Sequence, residues 1–284
     1  MRERADDVVT GGRLLLAALG APPGAADGAA RCIIAVKADL TEARIALYNA
    51  IQAAHDPRVA LAVITADYPA GGERQLVQLV LGREVPAGGH PSDLGVLCQN
   101  VATAAAVTDC LLRGRALTSR IVTVTGGGVA RPRNIEARLG TPVADLIALA
   151  GGYQHDPVRL IMGGPMMGVA LASDELPITA ATNCLIAATT RDLEGPAAGG
   201  GRELPCIRCG ACIEVCPASL LPQELLDAAR NGRTLDLEAL GVTECIECGS
   251  CDYVCPSHIP LTREFVRGKQ LLLHPKPDAP DAEG

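Results

Sequence analysis

The chain has 284 residues and a formal net charge of −7, and its length fits two or three domains. The acidic balance argues against nucleic-acid binding, because no basic stripe is present to neutralise phosphates. Aromatic residues make up 2% of a chain that is 48% hydrophobic, so small aliphatic side chains must fill its cores.

Helix and strand patterns alternate over residues 1–115. Short apolar runs separated by amphipathic stretches predict a parallel α/β sheet with helices on both faces. The predicted helices cover residues 5–19, 41–54, 73–81 and 101–112, and the predicted strands begin at Cys32, Leu61 and Leu94.

A small β-grasp-like unit is predicted over residues 116–165. Its elements are a strand from Ile121, a break at Gly126-Gly-Gly, a return strand over 134–139, a helix, and a strand over 158–162. Thr141 fits the N-cap of the helix, with Pro142 at the first helical position. Residues 166–202 are predicted to be a connecting segment that ends in a glycine-rich linker.

Eight of the twelve cysteines form two copies of C-x2-C-x2-C-x3-C-P within residues 203–272. This spacing is the ligand pattern of two [4Fe–4S] clusters, in which the fourth cysteine of each run serves the other cluster. The predicted ligands of the first cluster are Cys206, Cys209, Cys212 and Cys255, and those of the second are Cys216, Cys245, Cys248 and Cys251. Helical patterns between the runs predict a helical two-cluster ferredoxin domain, followed by a disordered tail over 273–284.

Structural zinc is the alternative that the cysteines leave open. Zinc sites commonly use two C-x2-C pairs about 15–20 residues apart, or cysteine together with histidine. A third and a fourth cysteine before a proline are superfluous for zinc, so the spacing favours clusters. The clusters need reduced thiolates, which indicates the cytosolic side of a membrane.

Two further motifs lie where a predicted strand meets a helix. Tyr68-Pro-Ala-Gly-Gly-Glu-Arg precedes one helix and Gln99-Asn-Val-Ala-Thr precedes the next. Such corners of α/β sheets can bind a phosphorylated cofactor through backbone amides. Each motif taken alone is also typical of an ordinary glycine turn or an asparagine helix cap.

These motifs together resemble one family along residues 1–270. They are Tyr68-Pro-Ala-Gly-Gly-Glu, Gly82-Arg-Glu-Val-Pro, Gln99-Asn-Val, Val122-Thr-Val-Thr-Gly, Ile161-Met-Gly-Gly-Pro-Met-Met-Gly, Thr182-Asn-Cys and the two cysteine runs. The chain resembles RnfC (RsxC), the C subunit of the ion-translocating electron transport (Rnf) complex. Its middle unit resembles an SLBB domain, and the family also resembles the flavin- and NADH-binding subunit of respiratory complex I.

The resemblance implies a multidomain α/β protein that begins with a flavin/NADH-type domain. It implies a peripheral subunit on the cytoplasmic face of the plasma (inner) membrane, which passes electrons between NAD(H) and membrane-embedded, cluster-bearing partners and is coupled to ion movement. It also implies that Gly71 and Glu73 match the nucleotide site of the complex I subunit. Asn100 and Thr103 match that subunit's flavin contacts.

Two departures from the family bear on the flavin. The middle acid of the Gly-Glu-Glu motif is Gly72 in this chain. The glycine-rich loop that supports the flavin in the family lies upstream of where this chain starts. The resemblance therefore implies FMN for the full family domain and only a partial flavin site here.

Two other functions remain open at the level of sequence. A soluble flavin and iron–sulfur cobalamin reductase resembles the same family. A docking scaffold, in which the clusters only stabilise the fold, is an alternative of another class. No segment reaches the roughly 18 consecutive apolar residues of a transmembrane helix, and Met1-Arg-Glu-Arg is not followed by the apolar core of a signal peptide.

Overall fold

The computed structural model describes residues 1–20, 30–155, 157, 159–193 and 202–274. Most of the predicted glycine-rich linker and the predicted tail beyond residue 274 lie outside these ranges. The chain divides into two compact units, Met1–Leu117 and Thr118–Gly284. None of the helices among the described residues has the length and apolar character needed to cross a bilayer.

The first unit alternates helices and strands, as its sequence predicts. Its elements are α1 (Ala5–Ala18), β1 (Cys32–Lys37), α2 (Thr41–Ala54), β2 (Val59–Ile64), α3 (Glu73–Leu81), a 3-10 helix (Pro91–Leu94) and α4 (Val101–Arg113). Strands β1 and β2 pair in parallel, with Cys32 opposite Val59 and Lys37 opposite Ile64. Helices α1, α2 and α4 cover this pair, and Val9, Val36 and Leu47 are among the buried residues of the core.

The third strand predicted in this unit, from Leu94 to Cys98, is wrong. The start of that run belongs to the 3-10 helix Pro91–Leu94, which ends at Gly95 with φ of 71°. The Asp93 carboxylate accepts a hydrogen bond from the His90 backbone N–H at 2.8 Å and stabilises this turn. A left-handed glycine reverses the backbone where a strand would have to continue, so the apolar run stays irregular up to Asn100.

The second unit begins with a five-stranded mixed sheet. Its elements are β3 (Ser119–Thr125), β4 (Arg133–Arg138), α5 (Val143–Leu149), β5 (Arg159–Met162), β6 (Val169–Leu171) and β7 (Cys184–Ala188). The strand order is β4-β3-β7-β5-β6. Helix α5 buries Val143, Leu146 and Ile147 in the core of this sheet, because these residues recur at the spacing of one helix face.

Two expectations for this region need correction. The sheet continues past residue 165, because β6 and β7 lie within the segment expected to be a connector, and β7 pairs with both β3 and β5. The N-cap of α5 is Pro142, not Thr141. The carbonyl of Thr141 instead accepts the backbone N–H of Ile178 at 2.8 Å, which places Thr141 in a strand-like contact before the helix.

The remainder of the second unit is helical. It contains α6 (Ala211–Glu214), α7 (Pro222–Arg230), α8 (Thr234–Ala239), α9 (Ser250–Val254) and α10 (Leu261–Leu273), with 3-10 helices at Arg191–Leu193 and Val242–Glu244. Pro222 stands at the start of α7 and Asn231 at its C-cap, as the sequence predicts. Leu225, Leu237 and Phe265 are almost fully buried, and this core lies directly behind the cysteines.

Candidate functional site

Four cysteines surround a first cavity at the end of the helical part. It is lined by Cys206, Cys209, Cys212 and Cys255 together with apolar residues that include Leu226 and Ile259. Cys206 and Cys209 are exposed, whereas Cys212 and Cys255 are buried. One wall of this cavity therefore faces solvent and the other belongs to the core.

The other four cysteines surround a second cavity. It is lined by Cys216, Cys245, Cys248 and Cys251, with Leu220 and Phe265 among its apolar neighbours. Cys248 and Cys251 are buried, and Cys216 and Cys245 are half-buried. Each cavity thus receives three cysteines from one run and the fourth from the other run.

The backbone of each run bends around its cavity through left-handed residues. Arg208 and Gly210 have φ of 56° and 81°, and the repeat-equivalent Glu247 and Gly249 have φ of 57° and 76°. Non-glycine residues seldom adopt this conformation, so its recurrence at equivalent positions indicates a functional constraint. The turn directs the Arg208 N–H to the Cys206 sulfur at 3.4 Å, which is the kind of hydrogen bond that tunes a sulfur-bound cluster.

The donor set fits iron–sulfur clusters. Burial raises the pKa of Cys212, Cys245 and Cys251, so these thiols stay protonated until a metal replaces their protons. In the described part of the chain, no three Cys, His, Asp or Glu side chains close around a point as a single ion would require. The cysteines instead stand around an open volume, which suits a multi-iron group.

Two contacts at the second cavity are not predicted by the sequence reasoning. The Lys269 ammonium on α10 donates to the Cys245 carbonyl at 2.6 Å. The turn that contains Met166 lies against Gly249, where an added Cβ would meet the Met166 carbonyl oxygen at 3.3 Å. The second cysteine run repeats the first 39 residues later, so the sequence shows that Lys269 corresponds to the cation Arg230 but does not show the contact with Cys245.

The four residues matched to a flavin site lie at two helix starts in the first unit. Gly71 precedes α3, and a Cβ at this position would meet open space. Glu73 is the first residue of α3. Asn100 is the N-cap of α4, where its Oδ1 accepts the Ala102 N–H at 2.8 Å, and the Thr103 N–H donates to the Asn100 carbonyl. Asn100 is therefore a helix cap, as the ordinary interpretation of this motif predicts.

Helix α3 contacts the 3-10 helix Pro91–Leu94, which precedes the loop that enters α4. Burial raises the pKa of Cys98 in that loop, and the charge of Glu73 acts in the same direction. Helix N-termini bind phosphate through their backbone N–H groups. The residues present thus fit part of a phosphate-bearing cofactor site.

Three protein families match successive parts of the chain. The Nuo51 FMN-binding domain matches residues 1–109, the SLBB domain matches residues 121–170, and the 4Fe-4S dicluster domain matches residues 204–259. The predicted multidomain α/β architecture, with its parallel strand pair, SLBB unit and dicluster part, is therefore confirmed. The dicluster match also supports the prediction of two [4Fe–4S] clusters, and the first match is consistent with FMN.

Several curated proteins are similar to this chain, and each of those compared below is described as the C subunit of an ion-translocating oxidoreductase complex. The protein from Pseudomonas aeruginosa is 45% identical over 225 residues, which are 79% of this chain and 27% of the relative. The one from Erwinia tasmaniensis is 41% identical over 269 residues, or 95% of this chain and 32% of the relative. The chain thus spans about a third or less of these relatives.

A solved structure shares the fold. The crystal structure of an NAD+-reducing [NiFe]-hydrogenase in its H2-reduced state matches 95% of this chain and 52% of the hydrogenase chain. The TM-score is 0.54 and the sequence identity is 19%, so this likeness concerns the fold alone.

Proposed function

The chain belongs, over the part that it shares with its relatives, to the family of C subunits of ion-translocating oxidoreductase complexes, and we propose that it carries electrons within such a complex. The carriers are two [4Fe–4S] clusters. The observation that supports this proposal most strongly is the grouping of eight cysteines into two sets of four around separate cavities.

Each cavity supplies the ligands of one cluster. Cys206, Cys209, Cys212 and Cys255 hold the first cluster, and Cys216, Cys245, Cys248 and Cys251 hold the second. The clusters, when bound, supply one-electron transfer. The chain's own residues hold the thiolates in place, direct N–H groups at the sulfurs and exclude water from the buried side through residues such as Leu226 and Phe265.

The first unit forms part of a flavin and nicotinamide site. Gly71 and Glu73 at the start of α3 and Asn100 and Thr103 at the start of α4 are the proposed contacts to FMN or NAD(H). The match to an FMN-binding domain over residues 1–109 and the position of these residues at two helix starts support this assignment. We expect the wild-type chain to quench FMN fluorescence on binding. The Gly71→Leu chain should quench it less, because leucine fills the open space beside the start of α3.

The partners of the chain are the membrane-embedded and cluster-bearing subunits of the same complex. The named relatives are complex subunits, which favours this role over that of a soluble cobalamin reductase. We place the chain as a peripheral subunit at the cytoplasmic face of the plasma (inner) membrane. In cell fractionation, an affinity-tagged chain should co-purify with membrane proteins, and recovery as a free soluble protein would argue for the reductase.

Redox titration of the reconstituted chain tests electron transfer directly. Both clusters should be reduced and reoxidised reversibly at potentials within reach of NADH or ferredoxin, because a relay must exchange electrons with its donor and acceptor. Clusters that are present in full but do not cycle in this range would support the docking scaffold.

A further inference from the structure

The two cysteine runs are repeats whose surrounding charges differ. At the position between the first and second cysteines, the first run has Arg208 and the second has Glu247, both with left-handed backbone. The helices that follow the runs also carry equivalent cations, Arg230 on α7 and Lys269 on α10, each 18 residues after the third cysteine of its run. Similar folds around the two cavities therefore carry unlike electrostatic surroundings.

Lys269 contacts the second run directly. Its Nζ lies 2.6 Å from the Cys245 carbonyl oxygen and 2.6 Å from Glu247 Oε1. The Lys269 side chain is 23% exposed, so solvent screens its charge less than that of a surface lysine. The ammonium is therefore held against the backbone of a proposed cluster ligand and against the carboxylate of the same loop.

Arg230 at the equivalent position makes different contacts. It pairs with Glu203 at 2.7 Å and with Glu264 at 3.4 Å. The corresponding loop position also carries the opposite charge, since the first run has Arg208 where the second has Glu247. The two repeats can therefore be compared directly. The first cysteine loop carries the cation Arg208, and the second carries the anion Glu247, which is paired with Lys269.

We propose that Lys269 is a positioning residue that fixes the Cys245 loop of the second cluster and raises the reduction potential of that cluster. This inference rests on the proposed presence of two clusters. Reduction adds one negative charge to a cluster, and a fixed cation nearby stabilises that added charge. Without Lys269, the negative charge of Glu247 would stand unneutralised in the cysteine loop and would disfavour reduction.

Four variants of the full chain test the proposal after anaerobic reconstitution. Lys269→Met removes the cation, Lys269→Arg keeps it, and Glu247→Gln removes the anion but leaves Lys269 in place. Arg267→Gln is the matched control, because Arg267 is a cation on the same helix with a side chain that is 58% exposed and pairs with Glu264 at 3.6 Å. Iron content and redox titration followed by electron paramagnetic resonance are measured for each variant.

We expect one of the two midpoint potentials to fall in Lys269→Met and the same one to rise in Glu247→Gln. Both potentials should keep their wild-type values in Lys269→Arg and Arg267→Gln. Loss of about half of the iron in Lys269→Met, with full iron in Lys269→Arg, would also support the positioning role. Unchanged potentials in both Lys269→Met and Glu247→Gln, at full iron content, would overturn the proposal. Low iron in the wild-type chain would instead count against the clusters themselves.

Discussion

Each proposed cluster depends on a thiol from the other cysteine run. Cys216 is the fourth cysteine of the first run but lines the second cavity, and Cys255 is the fourth of the second run but lines the first. Binding of either cluster would therefore link the two cysteine runs to each other. Because ligands are seldom arranged before the chain folds, cluster binding contributes directly to folding free energy, and the two halves of the helical part should fold as one.

Replacing whole cysteine sets tests this exchange. A chain with alanine at Cys206, Cys209, Cys212 and Cys255 should keep about four irons, because the second set remains intact. The matched variant replaces Cys216 instead of Cys255 and removes the same number of thiols. It should hold less iron, measured by colorimetric assay, since the first cavity then lacks three ligands and the second lacks one. Four irons in the matched variant and few in the first would show that each run binds its own cluster.

Gly249 and Gly210 occupy equivalent places but have different neighbours. Both have left-handed φ, so alanine is strained at either position. A Cβ at Gly210 would meet open space, whereas one at Gly249 would meet the Met166 carbonyl oxygen at 3.3 Å. Gly249→Ala should therefore retain less iron after reconstitution than Gly210→Ala. Equal losses in the two variants would mean that the Met166 turn does not constrain the second cavity.

The cysteine sets could be predicted because their spacing along the chain carries the information. Three thiols separated by two residues can only come together in a tight loop, and this grouping does not depend on the rest of the fold. Lys269 reaches Cys245 across 24 residues through the packing of α10. The Met166 turn reaches Gly249 from another part of the unit. Contacts of this kind depend on tertiary structure, which hydrophobic periodicity does not determine.

At the scale of elements, α1 and α4 pack closely in the first unit. Gly11 lies against the Ala104 backbone, where an added Cβ would come within 1.9 Å of the carbonyl oxygen. The next residue, Gly12, faces the Cys32 sulfur, which a Cβ would approach to 2.7 Å. A backbone carbonyl cannot move aside without displacing its helix, whereas the Cys32 side chain can rotate.

Alanine at Gly11 should destabilise the first unit by about 2 kcal/mol, a typical cost of overpacking. Alanine at either position gains about 1 kcal/mol of helix propensity relative to glycine. At Gly12 the new Cβ meets only the Cys32 side chain, which can rotate away, so the steric cost is smaller. The thermal midpoint measured by circular dichroism should therefore fall for Gly11→Ala and change less for Gly12→Ala. A larger fall for Gly12→Ala would contradict the close approach of α1 and α4.

Charges also join α1 to α4. Arg113 and Arg4 donate to the Asp7 carboxylate at 2.6 and 2.8 Å, and they donate to Asp109 as well. The hydrogen bond from Arg113 is the largest cause of the lowered pKa of Asp7, and the one from Arg4 is the largest cause for Asp109. Both carboxylates are therefore charged in the folded chain at a lower pH than in the unfolded chain.

This network should make the first unit sensitive to acid. A lowered folded-state pKa contributes stability above the unfolded value, near 3.9, and that contribution is lost as the pH falls. The free energy of unfolding should fall more steeply between about pH 5 and 3 in the wild type than in Asp7→Asn. Asp6→Asn removes an exposed carboxylate on the same turn and should leave the slope unchanged. Parallel slopes for wild type and Asp7→Asn would refute the network's role.

Most helices could be predicted from the sequence, because amphipathic periodicity and caps act over short distances. The predicted starts of α3 and α7 agree with the structure. The strands are harder to predict from the sequence, since a strand forms only where a partner strand lies beside it. The run from Leu94 is apolar but becomes a 3-10 turn followed by irregular chain. Strand β7 was missed although it lies between β3 and β5, because its partners precede it by many residues.

Over the whole chain, matches to a Nuo51 FMN-binding domain, an SLBB domain and a 4Fe-4S dicluster domain follow one another. The two proposed cluster sites differ in exposure, because Cys206 and Cys209 of the first are exposed and Cys248 and Cys251 of the second are buried. Exposure is one determinant of cluster potential, so we expect the two clusters to have distinct potentials.

The most direct test of this account is the metal content of the chain after anaerobic reconstitution with iron and sulfide. Two [4Fe–4S] clusters require about eight irons and eight sulfides per chain, and Mössbauer spectra should show all of the iron in cubane clusters. Zinc bound in place of iron after purification, with no cluster spectrum on reconstitution, would contradict the account. So would a chain that saturates at four irons.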